Sequence, residues 1–196
     1  MKLKGVVFDM DGTVVEVPYD WKQIKEELMT QGKPVLTFIQ SLEEPERSEK
    51  WKVLEKFENE ATLKAVLKDG MREFLDFLKG EGIKKALATN NSQRNVSFIL
   101  NKFKLEFDYV LSREKGLWKP SGAPLLFILK KLNLKKEECC VVGDSHFDIK
   151  AADEAGITKI FILNEDKKNF SSTQAEVFKT VIDLKERIEQ ILETEE

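Results

Sequence analysis

The sequence predicts an α/β protein: a doubly wound parallel sheet with a small helical block inserted behind its first strand. Three observations predict it. The apolar run Gly5-Val6-Val7-Phe8 has the composition of a buried strand. From Gly70 onward, short apolar runs alternate with amphipathic segments, the rhythm of β-α units in a parallel sheet with helices on both faces. Between the two lies 16–69, rich in Lys and Glu and nearly free of strand-like runs. That stretch is too long for a loop and reads as an inserted helical cap. The expected organisation is therefore a core of 1–15 and 70–196, interrupted by a cap of 16–69.

The elements follow in order along the sequence. Val6–Phe8 is strand one. In the cap, Trp21, Ile24 and Leu28 share a helix face, with Asp20 placed as N-cap and Gln23 three residues on. Gly32 and Pro34 end that helix. Val35, Leu36 and Ile39 begin another, Pro45 marks a break, and a long helix follows through Trp51, Leu54, Phe57, Ala61 and Ala65. Trp21, Trp51 and the cap phenylalanines are read as cap core. Asp69-Gly70 closes this section. Phe74, Leu75 and Leu78 give a helix ended by Gly80 and Gly82, and Ile83–Thr89 gives a strand. Ser92 caps a helix carrying Val96, Ile99, Leu100 and Phe103. Phe107–Leu111 is a short strand, Pro124–Leu132 a helix and Cys139–Val142 a strand. A further helix runs toward Ala155, with Gly156 as its C-terminal stop. Lys159–Leu163 is the next strand, and a last helix carries Leu184, Ile188, Ile191 and Leu192. The acidic tail Glu193-Thr194-Glu195-Glu196 is expected to fray.

Composition excludes several classes. Hydrophobic residues make up 41% of the 196, enough for a core and too many for a disordered chain. A formal net charge of −3 gives no basic surface for nucleic acid. Cys139 and Cys140 are adjacent in an apolar run. They read as buried free thiols rather than a disulfide or a zinc site. Lys2, Lys4 and Asp9 break up any signal-peptide core, and no stretch has the length of a membrane span. The expectation is a cytoplasmic protein with no membrane or nucleic-acid partner. Nothing in the sequence sets an oligomeric state.

The chemistry concentrates at Asp9-Met10-Asp11-Gly12-Thr13, directly behind strand one. Side chains two apart on a strand share a face, so two carboxylates stand together at the strand's end, and Gly12 allows the chain to turn there. Two such acids repel unless neutralised, and a divalent cation is the natural candidate. One could serve as nucleophile and the other as general acid and base. In a doubly wound sheet the site forms at the carboxyl ends of the strands. The other strand ends supply Thr89-Asn90-Asn91-Ser92, the segment Trp118-Lys119 before Pro120, and Gly143-Asp144-Ser145-His146-Phe147-Asp148. Carboxylates, a hydroxyl, amide donors and a cation are the parts that phosphoryl transfer needs. Ser145 and Asp148 are also placed to cap the next helix, and His146 reads as a solvated loop histidine.

In order and spacing these residues resemble the four motifs of the haloacid dehalogenase-like superfamily: D-x-D-G-T at Asp9–Thr13, a strand ending in Thr89, Lys119 before Pro120, and G-D-x-x-x-D at Gly143–Asp148. The insertion after the first motif resembles the helical cap of its phosphoglycolate phosphatase-like branch. The resemblance implies a Rossmann-like core and an Mg²⁺-dependent phosphomonoesterase working through an aspartyl-phosphate. Asp9 would be the nucleophile and Asp11 the general acid and base. Asp9, the Asp11 backbone carbonyl, Asp144 and Asp148 would hold magnesium, with Asp148 either a ligand or an acceptor for a bound water. Thr89 and the Asn90 amide would bind a phosphoryl oxygen, and Lys119 would balance its charge. Asp11 speaks for an oxygen leaving group and against dehalogenation. The implied substrate is a small phosphorylated metabolite: phosphoglycolate, a sugar phosphate or a nucleoside monophosphate. A sugar phosphomutase, and a non-catalytic binding module on the same fold, are the alternatives. Linkers near Val14–Pro18 and Lys68–Gly70 are the expected hinges of a moving cap.

Overall fold

The computed structural model describes residues 2–194. In chain order, β1 (Gly5–Phe8) and β2 (Val15–Glu16) precede α1 (Trp21–Leu28), α2 (Val35–Gln40) and α3 (Glu46–Leu63). Next come β3 (Val66–Leu67), α4 (Met71–Gly80), β4 (Lys84–Ala88), α5 (Gln93–Phe103), β5 (Tyr109–Leu111) and α6 (Ala123–Leu132). The chain continues with β6 (Cys139–Gly143), α7 (His146–Ala155), β7 (Lys159–Leu163), β8 (Glu176–Phe178) and α8 (Val181–Thr194). Two compact units result, one of Met1–Glu16 with Val66–Glu196 and one of Val17–Ala65.

The larger unit is a six-stranded sheet in the order β5-β4-β1-β6-β7-β8, parallel at every pairing. β1 thus lies inside the sheet, with the chain winding outward through β4 and β5 and then back through β6, β7 and β8. That reversal puts the switch point between β1 and β6, where Phe8 is in register with Val142 and a crevice opens beyond the strand ends. β6 is buried along its whole length, which is why it reads as an unbroken apolar run. Alternate strand residues turn to opposite faces. Val7, Ala86, Ala88, Val141, Ile160 and Ile162 join Leu125, Ile128 and Leu129 of α6 and Ile149 and Ala152 of α7 in one core. On the other side Phe8 meets Phe74 of α4 edge-to-face at 5.8 Å, and α4 packs on α8.

Helix ends follow local chemistry. The Ser92 hydroxyl accepts the Asn95 N–H at 3.2 Å and so caps α5. Gly156 stops α7 in the left-handed conformation, φ 71°.

The smaller unit has its own core of Ile24, Leu28, Val35, Phe38, Ile39 and Leu54. Asp20 caps α1 by accepting the Gln23 N–H at 2.9 Å. The helix closes at Leu28, with Met29 left-handed (φ 61°), ahead of Gly32. Trp51 packs against the core as the sequence suggests. Trp21 does not belong to it: it is 46% exposed, because it opens α1 and stacks on Tyr19, ring centroids 4.9 Å apart.

Three strands among the described residues had no counterpart in the sequence reading. β2 and β3 pair antiparallel through Val15–Leu67 and Glu16–Val66, and β8 forms one edge of the main sheet. The tail also differs. Glu193 and Thr194 belong to α8, held in part by the Thr194 hydroxyl donating to the Gln190 carbonyl at 3.1 Å. Glu195 and Glu196 lie outside the described residues. Among the described residues no helix is long and apolar enough to cross a membrane. Cys139 and Cys140 are buried and unbridged, and burial pushes the Cys139 thiol up to about 12.

Candidate active site

The site is built from the loops that leave β1, β4 and β6, together with the segment ahead of α6. The Asp9 N–H donates to the Val142 carbonyl at 2.9 Å, which carries the β1–β6 ladder one residue past the strand and seats Asp9 in the crevice. The chain then folds back at once. The Val14 and Val15 N–H groups both reach the Met10 carbonyl, and the Gly12 N–H reaches the Val15 carbonyl at 2.7 Å. Gly12 has φ +83°, and a Cβ there would lie 2.2 Å from Asp144 Oδ2. Only glycine leaves room for the Asp144 carboxylate against this turn.

Asp9, Asp144 and Asp148 each offer a carboxylate oxygen, and these atoms lie within 4.8 Å of one another. Lys119 enters the same cluster, with Nζ 2.7 Å from Asp9 Oδ1 and 2.6 Å from Asp148 Oδ1. Its side chain is 5% exposed, that of Asp148 1% and that of Asp9 13%. Three acids around one lysine leave a formal charge of −2 in a poorly hydrated place. Burial chiefly, together with the neighbouring acids, therefore pushes Asp144 up to about 8. Asp9 rises to about 6 because burial and Asp148 outweigh the pull of Lys119. Lys119 shifts upward in turn: its two carboxylates overcome the burial that would otherwise discharge it. An all-oxygen donor set with two uncompensated negative charges fits a hard divalent cation.

Asp148 has two tasks. One oxygen takes Lys119. The other, Oδ2, accepts the Ser145 N–H at 3.1 Å, the Ser145 hydroxyl at 2.7 Å and the Asp144 N–H at 3.3 Å. This is the N-terminal cap of α7, and it fixes the backbone that carries Asp144. Gly143 is again a space requirement, since a Cβ there would lie 2.3 Å from Asp148 Cγ. His146 is the first residue of α7 rather than a loop residue. It is exposed, with its ring 4.7 Å from that of Phe170.

Asp11 is not a member of the carboxylate trio; its Oδ2 accepts a hydrogen bond from Asn91 Nδ2 at 2.9 Å. Thr89 is buried at the end of β4, and its Oγ1 accepts the Asn91 N–H at 3.1 Å. Asn90 grips the backbone of Lys119: Nδ2 donates to the Lys119 carbonyl and Oδ1 accepts the Lys119 N–H, both at 2.8 Å. The chain at 119 is thus pinned from β4, and the ammonium is delivered to the acids. Sequence reasoning assigned the Asn90 backbone amide and missed this use of its side chain, and it gave Asn91, quoted at the same strand end, no role of its own. The one local signal was two adjacent amides at a strand end.

The sheet and its acidic centre define an α/β protein with a carboxylate cluster at the β1–β6 switch point. The chain belongs to the haloacid dehalogenase-like hydrolase family, whose model matches residues 30–162. That span takes in Thr89, Lys119, Asp144 and Asp148. An uncharacterized hydrolase of Saccharomyces cerevisiae is 31% identical, covering 96% of this chain and 91% of its own length. A phosphorylated carbohydrates phosphatase of Thermotoga maritima is 29% identical, over 81% of this chain and 84% of its own. In fold, a solved hydrolase from Pseudomonas syringae superposes with a TM-score of 0.79 at 19% identity, over 96% of this chain and 99% of that one.

Proposed function

We propose that the protein is an Mg²⁺-dependent phosphomonoesterase that acts on a small phosphorylated metabolite through an aspartyl-phosphate on Asp9. The observation that carries this reading is the cluster of Asp9, Asp144 and Asp148 around Lys119. Asp9, Asp144 and the Asp11 backbone carbonyl would hold the cation, which supplies neutralisation of the phosphoryl oxygens when bound. Lys119 holds Asp9 Oδ1 and orients the carboxylate that attacks phosphorus. Asp11 gives a proton to the departing alkoxide and later takes one from the water that hydrolyses the intermediate. Thr89 and the Asn90 N–H, at the end of β4, would bind a phosphoryl oxygen. Asp148, with both oxygens engaged by protein donors, holds Lys119 and the 144–145 turn and would serve the cation from outside its ligand set. The helical unit 17–65 is the cap of this reading.

The Thermotoga maritima relative supports phosphorylated carbohydrates as the class to try first, ahead of phosphoglycolate and nucleoside monophosphates. The test is hydrolysis of p-nitrophenyl phosphate and a panel of sugar phosphates, with Mg²⁺ and with chelator, by wild type and by Asp9→Asn. Wild type turns over esters only with Mg²⁺, and Asp9→Asn loses several orders of magnitude in rate, as loss of a nucleophile does. Equal rates for the two proteins on every ester refute the proposal.

A further inference from the structure

The Asp11 carboxylate is tied to a residue with no role in the reading so far. Asn91 Nδ2 donates to Asp11 Oδ2 at 2.9 Å. The orientation of that amide is fixed by its neighbours, because its Oδ1 accepts the Ser92 N–H at 2.7 Å and Asn95 Nδ2 at 3.0 Å. A backbone N–H can only donate, so the amide oxygen must face Ser92 and the NH₂ must face Asp11. The main chain of Asn91 is held as well, through its N–H on Thr89 Oγ1 at 3.1 Å and its carbonyl, which accepts the Arg113 N–H at 3.2 Å. Asn91 and Asn95 are each 3% exposed. Asn95 sits in the first turn of α5, where its own N–H is capped by the Ser92 hydroxyl at 3.2 Å. A buried amide locked at main chain and side chain alike thus presents one donor to one carboxylate oxygen.

We propose that Asn91 is the positioning residue for Asp11 in proton transfer to the leaving oxygen, with Asn95 as its support. The inference rests on the phosphomonoesterase reading. In the first half-reaction an Asp9 oxygen bonds to phosphorus as the bond from phosphorus to the ester oxygen breaks. The electron pair goes to that oxygen, which takes the proton of Asp11 and departs as an alcohol. An oxygen that accepts an N–H is the carbonyl end of a protonated carboxyl. Asn91 therefore keeps the transferable proton on Asp11 Oδ1 and fixes the plane in which it is offered. Asn95 acts one step back, by holding the Asn91 oxygen.

Leaving-group dependence tests this. p-Nitrophenolate departs from phosphorus without a proton, whereas a simple alkoxide needs one. The quantity to compare is kcat/KM, which covers steps through release of the alcohol and excludes hydrolysis of the intermediate. Wild type, Asn91→Ala, Asn91→Ser and Asn95→Ala are assayed with Mg²⁺ on p-nitrophenyl phosphate and on an alkyl phosphate. Asn91→Ala should lower kcat/KM for the alkyl ester by on the order of tenfold or more beyond its effect on the aryl ester. Asn95→Ala should shift the same ratio in the same direction by less. A parallel fall for both esters, or no fall, overturns the proposal and makes Asn91 a structural residue of the β4–α5 turn. If Asn91→Ala does not fold, Asn91→Ser and Asn95→Ala decide by the same ratio. Wild type inactive on both esters would sink the phosphomonoesterase reading and this inference with it; an active wild type with an unchanged ratio in the variants would sink this inference alone.

Discussion

Lys119→Met removes the cation seated among the three carboxylates while keeping the length of an unbranched, apolar side chain. It strands Asp9 and Asp148, whose side chains are 13% and 1% exposed. Removing one partner of a buried ion pair costs about 3–5 kcal/mol, because an uncompensated charge stays behind. In a chain of this size each kcal/mol moves Tm by about 2–4 °C, so the melting point should fall by about 6–20 °C. The acids can relieve this by taking up protons. Asp144 stands at about 8 and Asp9 at about 6 even with Lys119 present, both above the 3.8 of an ordinary Asp in an unfolded chain. A carboxyl raised in this way contributes stability that is fully present below its unfolded value and lost as pH rises through its folded one. The deficit of the variant is therefore largest at and above about pH 8 and shrinks toward about pH 5. A divalent cation restores part of the loss by replacing the missing charge. Thermal melts followed by circular dichroism in chelator at both pH values, then with MgCl₂ at the higher one, measure each part. A variant melting within about 2 °C of wild type, in chelator at about pH 8, would refute the idea that this lysine holds the acids together.

Two further outcomes follow from the same geometry. Gly12→Ala carries about 1–2 kcal/mol of backbone strain for a non-glycine residue at positive φ, and its Cβ must also displace the Asp144 carboxylate. It should melt several degrees lower and lose the stabilisation that wild type gains from MgCl₂, so an unchanged response to MgCl₂ would refute the placement of Asp144. In the proposed reading cation binding needs Asp144 ionised, and burial with the neighbouring acids pushes that carboxyl up to about 8. Mg²⁺ affinity should therefore rise between about pH 6 and about pH 8, with a proton released on binding. Titration calorimetry in buffers of differing ionisation enthalpy reads that proton, and affinity independent of pH over this range would count against a protonated Asp144.

How much was legible in the sequence depended on whether a signal was local. β1 and β6 are apolar runs that end in turn chemistry, and the start of α5 and both ends of α7 carry the residues that make caps. Asp9 and Asp144 stand directly behind β1 and β6, where topology alone brings them together, with Asp148 in the first turn of α7 and Lys119 in the segment ahead of α6. β2 and β3 are two residues each, too short for any periodicity, and their pairing depends on contact between distant parts of the chain. β8 is a three-residue edge strand, hidden in a polar stretch because one side of it pairs with nothing. Trp21 shows the limit of face assignment: its spacing to Ile24 and Leu28 is helical, yet as the first residue of α1 its side chain lies over the preceding turn, toward Tyr19. The uses of Asn90 and Asn91 are further out of reach. Their partners lie 29 and 80 positions away, and an Asn at a strand end reads locally as a turn residue and nothing more.

The two glycines of the acidic motifs unite these observations. At 12, a Cβ would strike Asp144; at 143, it would strike Asp148. Each glycine is the volume that lets a carboxylate approach another where mutual repulsion and poor hydration both oppose it. Nothing in stability favours that arrangement, since apolar side chains of similar size in place of a buried ionic cluster are commonly neutral or stabilising. The pinned backbone at 119, the capped turn at 144–145 and the amide on Asp11 all hold charged groups in positions that folding alone would not choose. Acids raised as Asp9 and Asp144 are, gathered at a switch point, mark a candidate functional centre. With all three acids ionised, their formal charge of −2 beside Lys119 is matched by one divalent cation, and in the proposed reading that match is what the two glycines make room for.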